Sequence, residues 1–296
     1  MLSKTKIIYL CNIFMEYFSQ PVSKITKLLM GIKEEKIKIK TKYQNCSIIE
    51  FLEYGLALVL DELVQVSEAD EYIYHEMLVH PCLITHDNPS KVLIIGGGDG
   101  CALREVIKHS ITKVTLVDID GELVEICKKY LSKLNERAFE DKRVELIIMD
   151  GKDYVEKSKE IYDCIILDLT DPFGPEISKE LYSYNFYKKL KNILDNKGII
   201  VTQAGSSFYF PEVYNDVLKN ISENFNIVRE YNVWIPSFGY NCCFIIGSDY
   251  YDPLKLTLNE IDEKINKRKI KTKFYNASMH YHILRIPVLK PNKKLS

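Results

Sequence analysis

Carboxylates stand where apolar runs end in this chain, and these are the residues that could do chemistry. The run Lys91-Val-Leu-Ile-Ile leads into Gly96-Gly97-Gly98-Asp99-Gly100. A buried strand, a tight glycine turn and a following helix bring backbone amides close to a ligand, as nucleotide-binding α/β folds do. A carboxylate within such a turn suits a ligand bearing hydroxyls or positive charge, and disfavours phosphate. The next apolar runs reach Asp118 (with Asp120 beyond it), Asp150-Gly151, and Asp168-Leu169-Thr170-Asp171-Pro172. Ligands of open α/β sheets bind at such strand ends, so the four ends together describe an acidic crevice. Asp118 lies about twenty residues past the glycine turn, where an acid accepts hydrogen bonds from ribose hydroxyls. Asp150 is placed to receive an exocyclic amine such as that of adenine. Asp168 and Asp171, in a turn fixed by Pro172 and Gly174, form a carboxylate pair suited to acid–base work or to holding a cation.

Positioning these acids requires alternating strands and helices. Strands are expected at Val92–Ile95, Lys113–Val117, Val144–Ile148, Cys164–Leu167 and Gly198–Thr202, with helices between them at 101–109, 121–131 and 178–194. Asn226–Tyr231 and Cys242–Ser248 fit an antiparallel edge. A helix at Asp70–Val79 precedes them. The fold class is therefore α/β, a Rossmann-like, doubly wound and mostly parallel sheet. Ahead of it, residues 1 to about 33 read as helical, with Pro21 and Gly31 as punctuation. Alternation from Lys36 and hairpin signals at Ser47–Phe51 and Leu56–Leu60, with Leu63–Val66 beyond, predict a small β-rich unit. The domains are placed at 1–69 and 70–296.

Composition narrows the classes. The formal net charge of −1 over 296 residues gives no electrostatic case for nucleic acid. The apolar run Ile7–Phe14 is too short to span a bilayer. The eight cysteines lack paired metal-ligand spacing and sit mostly in apolar runs, so a reduced, cytoplasmic setting is expected.

From Tyr43 to about His280 the chain resembles the polyamine aminopropyltransferases, the spermidine and spermine synthases. The motifs that carry the resemblance are Tyr43-Gln44, Leu58-Val-Leu-Asp61, Asp70-Glu-Tyr-Ile-Tyr74-His75-Glu76-Met77, Gly96-Gly-Gly-Asp99-Gly100, Asp168-Leu-Thr-Asp171-Pro172 and Tyr275-Asn276. The resemblance implies transfer of the aminopropyl group of decarboxylated S-adenosylmethionine to a polyamine acceptor, releasing 5'-methylthioadenosine. It makes Asp168 the general base, assisted by Tyr74. It assigns donor binding to Gln44, His75, Gly96, Gly98, Asp99, Asp118, Ile119, Asp150, Gly151 and Pro175, and acceptor binding to Asp171, Tyr74, Gln203, Trp234 and Phe238. Gln65 is a further polar contact. No cofactor and no metal are expected, since the donor is a co-substrate with an activated sulfonium. Small molecules are the partners, with neither nucleic acid nor membrane, in a homodimer or homotetramer.

Two positions depart from the spermidine synthase pattern. Leu169 replaces a serine or threonine, and the acceptor loop reads Trp234-Ile-Pro236-Ser237-Phe238-Gly239-Tyr240, with Phe238 in place of a tyrosine. The loop is similar to that of thermospermine synthase-like members, which leaves both putrescine and spermidine open as acceptors. Two rival readings are an S-adenosylmethionine-dependent small-molecule methyltransferase and a non-catalytic polyamine-binding protein.

Overall fold

A computed structural model describes residues 5–8, 14–171 and 180–291. Two sheets organise them. The N-terminal sheet is an antiparallel meander in sequence order: β1 (Thr5–Ile8), β2 (Phe14–Pro21), β3 (Lys27–Lys40), β4 (Asn45–Phe51), β5 (Gly55–Leu60) and β6 (Leu63–Ser67). The helical reading of residues 1 to 33 is thus corrected over residues 5–8 and 14–33, the remainder lying outside the described residues. Phe18 pairs with Met30 and Tyr17 with Gly31 across β2 and β3. Phe18 and Met30 are buried with Phe51, Val59 and Val64. Aromatic residues with a sheet to pack on prefer strand, and that long-range partner overrides local pattern. Pro21 does not interrupt a helix. It ends β2 at a turn closed by Val22 N donating to Thr26 O at 2.8 Å.

The second sheet has the order β12-β13-β11-β10-β7-β8-β9. Its strands are β7 (Lys91–Gly96), β8 (Lys113–Asp118), β9 (Val144–Ile148), β10 (Tyr162–Asp168), β11 (Leu194–Gln203), β12 (Ile227–Ile235) and β13 (Tyr240–Ser248). β7 to β11 are parallel, and β13 joins antiparallel to β11. Along β7, Val92 and Ile94 pack into a core with Leu78, Leu103 and Val106, while Leu93 and Ile95 join Val155, Phe186 and Tyr187. Both faces are therefore covered by helices, which is why the strand reads as one unbroken apolar run. The strand order reverses between β7 and β10, and the cleft opens there.

Helix α1 (Glu71–Thr85) lies between the two sheets in sequence and runs past its expected end through Pro81. Proline has no N–H to give the carbonyl four residues back. That carbonyl, Met77 O, instead accepts the Tyr231 hydroxyl at 2.8 Å, so the helix continues without a lost bond. Further on come α2 (Cys101–Ile107), α3 (Gly121–Tyr130) and α4 (Gly151–Lys157). The N-terminal sheet lays Cys46, Ile48, Leu58 and Val66 on Cys101, Leu123 and Cys127 of α2 and α3. The seven described cysteines are all buried thiols. Among the described residues no helix is long and apolar enough to cross a membrane.

Candidate active site

Between the sheets lies a cleft of about 1270 Å³, counting its mouth. Its floor is the glycine turn. Gly96 pairs with Asp168 across β7 and β10, and Gly97 N donates to Asp168 O at 2.9 Å. Gly96 has φ +82°, and a Cβ there would stand 2.1 Å from the Asp168 carbonyl oxygen, so only glycine allows the strands to meet this closely. A Cβ on Gly98 would lie 2.7 Å from an Asp118 carboxylate oxygen, so the turn runs directly against that acid.

Asp168 is the central group. Its Oδ1 accepts the Tyr74 hydroxyl at 2.8 Å. Its Oδ2 is out of contact with solvent and has no hydrogen-bond partner among the described residues. Burial lifts its pKa to about 6, with His75 pulling the other way and Asp99 adding to the rise. The next turn of the chain carries Asp171, whose Oδ2 accepts the Tyr240 hydroxyl at 2.9 Å. Burial raises Asp171 to about 6 as well, against its hydrogen bond to Tyr240. The two carboxyls flank the cleft at the end of β10, each held by a tyrosine.

His75 sits one residue beyond Tyr74 on α1. Its Nδ1 meets two acceptors on Glu71, the carbonyl at 2.8 Å and Oε2 at 3.0 Å, so it carries the proton. The other nitrogen then faces Asp99 Oδ1 at 3.7 Å. Burial opposes a charged ring, but Glu71, Asp99 and Asp168 outweigh it and lift the imidazole to about 9. Behind it Glu71 takes both guanidinium nitrogens of Arg104, at 2.8 and 2.9 Å. Arg104 Nε also reaches Glu105, which binds His80. This buried network fixes α1 on α2.

The donor side is built from strand ends. Asp118 Oδ1 accepts Asp120 N at 2.8 Å, and burial raises its carboxyl to about 7 despite that bond. Asp120 in turn caps α3 through Leu123 N and accepts the Gln44 amide at 3.0 Å, bringing the N-terminal sheet to the cleft. Asp150 caps α4 through Lys152 N at 2.8 Å. Asp99 holds Cys101 N at 2.7 Å at the start of α2.

The cleft lining includes Gln44, Gln65, Tyr74, His75, Gly96, Gly98, Asp99, Asp118, Ile119, Asp150, Gly151, Asp168, Asp171, Gln203 and Phe238. Two expectations differ. Trp234 is 53% exposed and outside the lining, because β12 alternates and buries its neighbours Val233 and Ile235 instead. Gln203 reaches the cleft, but its amide is already engaged. It donates to Leu169 O and Tyr182 Oη and accepts Gly205 N, so it braces the loop after β10. Pro175, with Pro172 and Gly174, lies outside the described residues. Residues not singled out from the sequence also line the cleft, chiefly Tyr240, Thr170 and Leu181. Tyr240 carried a signal, since it stands two residues beyond Phe238 on the same side of the turn.

A spermine/spermidine synthase domain matches residues 71–264, more than half of the chain. The polyamine aminopropyltransferase of Pyrobaculum aerophilum is 46% identical over 275 residues, covering 92% of this chain and 94% of its own. Polyamine aminopropyltransferase 1 of Hyperthermus butylicus is 43% identical over 249 residues, covering 83% and 85%. A crystal structure of spermidine synthase in complex with the transition-state analogue AdoDATO superposes with a TM-score of 0.87 at 30% identity, over 97% of this chain and 94% of that one. The Thermotoga maritima spermidine synthase gives 0.83 at 29% identity, with the same coverage. With that family model over more than half of the chain and relatives at 46% and 43% identity over most of it, the chain belongs to the spermine/spermidine synthase family and is a polyamine aminopropyltransferase.

Proposed function

We propose that the enzyme moves the aminopropyl group of decarboxylated S-adenosylmethionine to a primary amine of an aliphatic polyamine, releasing 5'-methylthioadenosine. The observation that carries this reading is Asp168, a carboxyl with one oxygen held by Tyr74 and the other unbonded, poised near pH 6. The attacking nitrogen must first lose a proton, because an ammonium has no lone pair. A base with a pKa near the working pH suits that task. The amine nitrogen then forms a bond to the carbon beside the sulfonium, the carbon–sulfur bond breaks, and its electron pair leaves with the neutral thioether. Asp168 takes the proton and Tyr74 steadies the carboxyl. The sulfonium supplies the activation, so no metal is assigned. His75, Asp99 and Asp168 offer ligand atoms within 4.8 Å of one another, and in this reaction that space belongs to the substrates' own cations.

Asp99 supports the decarboxylated donor. A substrate carboxylate about 4 Å from it would cost on the order of 4 kcal/mol at an effective dielectric of 20, whereas an ammonium is attracted. Asp118 suits the ribose hydroxyls and Asp150 the adenine amine. Asp171 and Tyr240 suit the far amine of the acceptor, with Phe238 against its methylenes. Product identification by mass spectrometry tests the reading. The donor is supplied with putrescine, agmatine, spermidine or norspermidine in separate reactions. A triamine from putrescine defines a spermidine synthase, and a tetraamine from spermidine defines a longer-chain enzyme. Methylation from S-adenosylmethionine, or no methylthioadenosine in any reaction, refutes the proposal.

A further inference from the structure

We infer that Gln20, on the N-terminal sheet, is a positioning residue for the acceptor and acts by fixing the turn that carries Phe238. The inference rests on the acceptor reading of Phe238, Tyr240 and Asp171 given above. Gln20 does not line the cleft and is 2% exposed, so it acts through others. Its amide joins three segments. Oε1 accepts Val64 N at 2.8 Å, and Nε2 donates to Ser237 O at 2.9 Å and Phe238 O at 3.2 Å. Both amide hydrogens are used on the turn, and the oxygen is used on β6, whose Val64 and Gln65 also line the cleft.

From the opposite side Asp70 grips the same residue. Its carboxylate accepts Ser237 N at 2.7 Å and Ser237 Oγ at 2.9 Å, and it is braced by Ser67 Oγ at 2.9 Å. The backbone N–H and C=O of Ser237 are therefore held by two different side chains. Gly239 closes the turn at φ +75°, and a Cβ there would stand 3.1 Å from Val22, two residues beyond Gln20. The main chain has little room to shift. What the turn presents is the Phe238 ring, 5.9 Å from that of Tyr74 and 5.7 Å from that of Tyr240, centroid to centroid. Moving the turn moves the ring between the tyrosine that holds Asp168 and the one that holds Asp171. Among the described residues, no side-chain hydrogen bond of Gln20 reaches Asp99, Asp118 or Asp150.

The test separates the two ends of the amide. Gln20→Glu keeps an oxygen for Val64 N but sets a second oxygen against two carbonyls, so only the turn loses its donors. Gln20→Met removes both ends at similar volume. Wild type and both variants are assayed for kcat and KM with each substrate, and for methylthioadenosine binding by calorimetry. For Gln20→Glu the acceptor KM should rise roughly tenfold, the order expected when buried carbonyls lose their donors. The donor KM and methylthioadenosine affinity should stay within about twofold, inside the scatter for sites without shared partners. As pH falls from about 8 to about 6, a buried glutamate takes up a proton and donates again. The ratio of variant to wild-type acceptor kcat/KM should then climb towards one, which Gln20→Met cannot imitate. Donor and acceptor constants moving together, or a folded Gln20→Glu enzyme with wild-type acceptor KM, would overturn the inference. A wild-type enzyme that uses no amine refutes the reaction reading itself, and the inference with it. That result appears in the wild-type reactions before any variant is compared.

Discussion

Replacing Asp168 with asparagine should slow the enzyme and stabilise it, and the two effects have one cause. The carboxyl moves from 3.8 to about 6 on folding. Such a displacement costs the folded state roughly 3 kcal/mol once the group is ionised. The sign follows from linkage. The folded state holds the proton more tightly than the unfolded chain, so stability falls as pH rises from about 4 to about 6, then levels off. Asparagine cannot ionise and escapes that loss. Its Oδ1 can still accept Tyr74, whereas its Nδ2 would occupy the position of the partnerless Oδ2. An unsatisfied buried N–H costs about 1 kcal/mol or more. The net expectation is a gain of about 1–2 kcal/mol at pH 8, turning into a loss of about 1 kcal/mol near pH 4, where only the stranded N–H remains. Turnover should drop about 100-fold or more, as loss of a general base does. Thermal unfolding across the pH range reads the first effect. Single-turnover kinetics reads the second, with methylthioadenosine affinity as a control that should not move. A variant with near-normal turnover would remove Asp168 from the base role. A variant equally destabilised at both pH extremes would show that the carboxyl is not held above its ordinary range.

Three further outcomes are expected. Asp99→Asn should erode the preference for the decarboxylated donor over S-adenosylmethionine by at least ~10-fold in calorimetric binding, well inside the ~4 kcal/mol available to a charge pair at 4 Å; an unchanged ratio would place the donor tail elsewhere. Phe238→Tyr should shift competition between putrescine and spermidine towards putrescine, because a hydroxyl can then hold the far amine of a short chain; a constant product ratio would sink that reading of the turn. Tyr231→Phe should strand the Met77 carbonyl that Pro81 leaves open and lower stability by about 1–3 kcal/mol in urea unfolding. No loss there would mean that water takes the place of the hydroxyl.

The parallel sheet was legible because its inner strands, β7, β8 and β10, are buried on both faces and read as mostly apolar runs. Val144–Ile148 was placed to the residue. The acids were legible for a related reason, since a carboxylate closing such a run sits at the rim where the sheet stops. The N-terminal segment was not legible. Its aromatic residues have no clean alternation, and strand there is decided by partners across β3 and β4. The end of α1 was hidden because a proline normally stops a helix, and the hydroxyl that repairs this one comes from residue 231. Trp234 could have been placed correctly, since period two along β12 sends it away from the face of Val233 and Ile235. Gln20 gave no signal at all. Its partners lie 217 and 218 residues away, and only the packing of one sheet against the other joins them.

The balance of charge around the cleft shows how a sequence of near-zero net charge can still present an acidic site. Among the described residues that line the cleft there are five aspartates and one histidine, and neither lysine nor arginine. The Arg104 guanidinium, beside His75 on the far side of Glu71, is spent on Glu71 and Glu105. Among these lining residues only His75 offsets the acids, and burial raises Asp168 and Asp171 to about 6 and Asp118 to about 7. A substrate ammonium or sulfonium supplies the missing countercharge and favours the ionised carboxylates. In the proposed reaction a bound sulfonium would hold Asp168 ionised, with a lone pair free for the amine proton, and would lower its pKa, so the countercharge fixes the protonation state of the base rather than its strength.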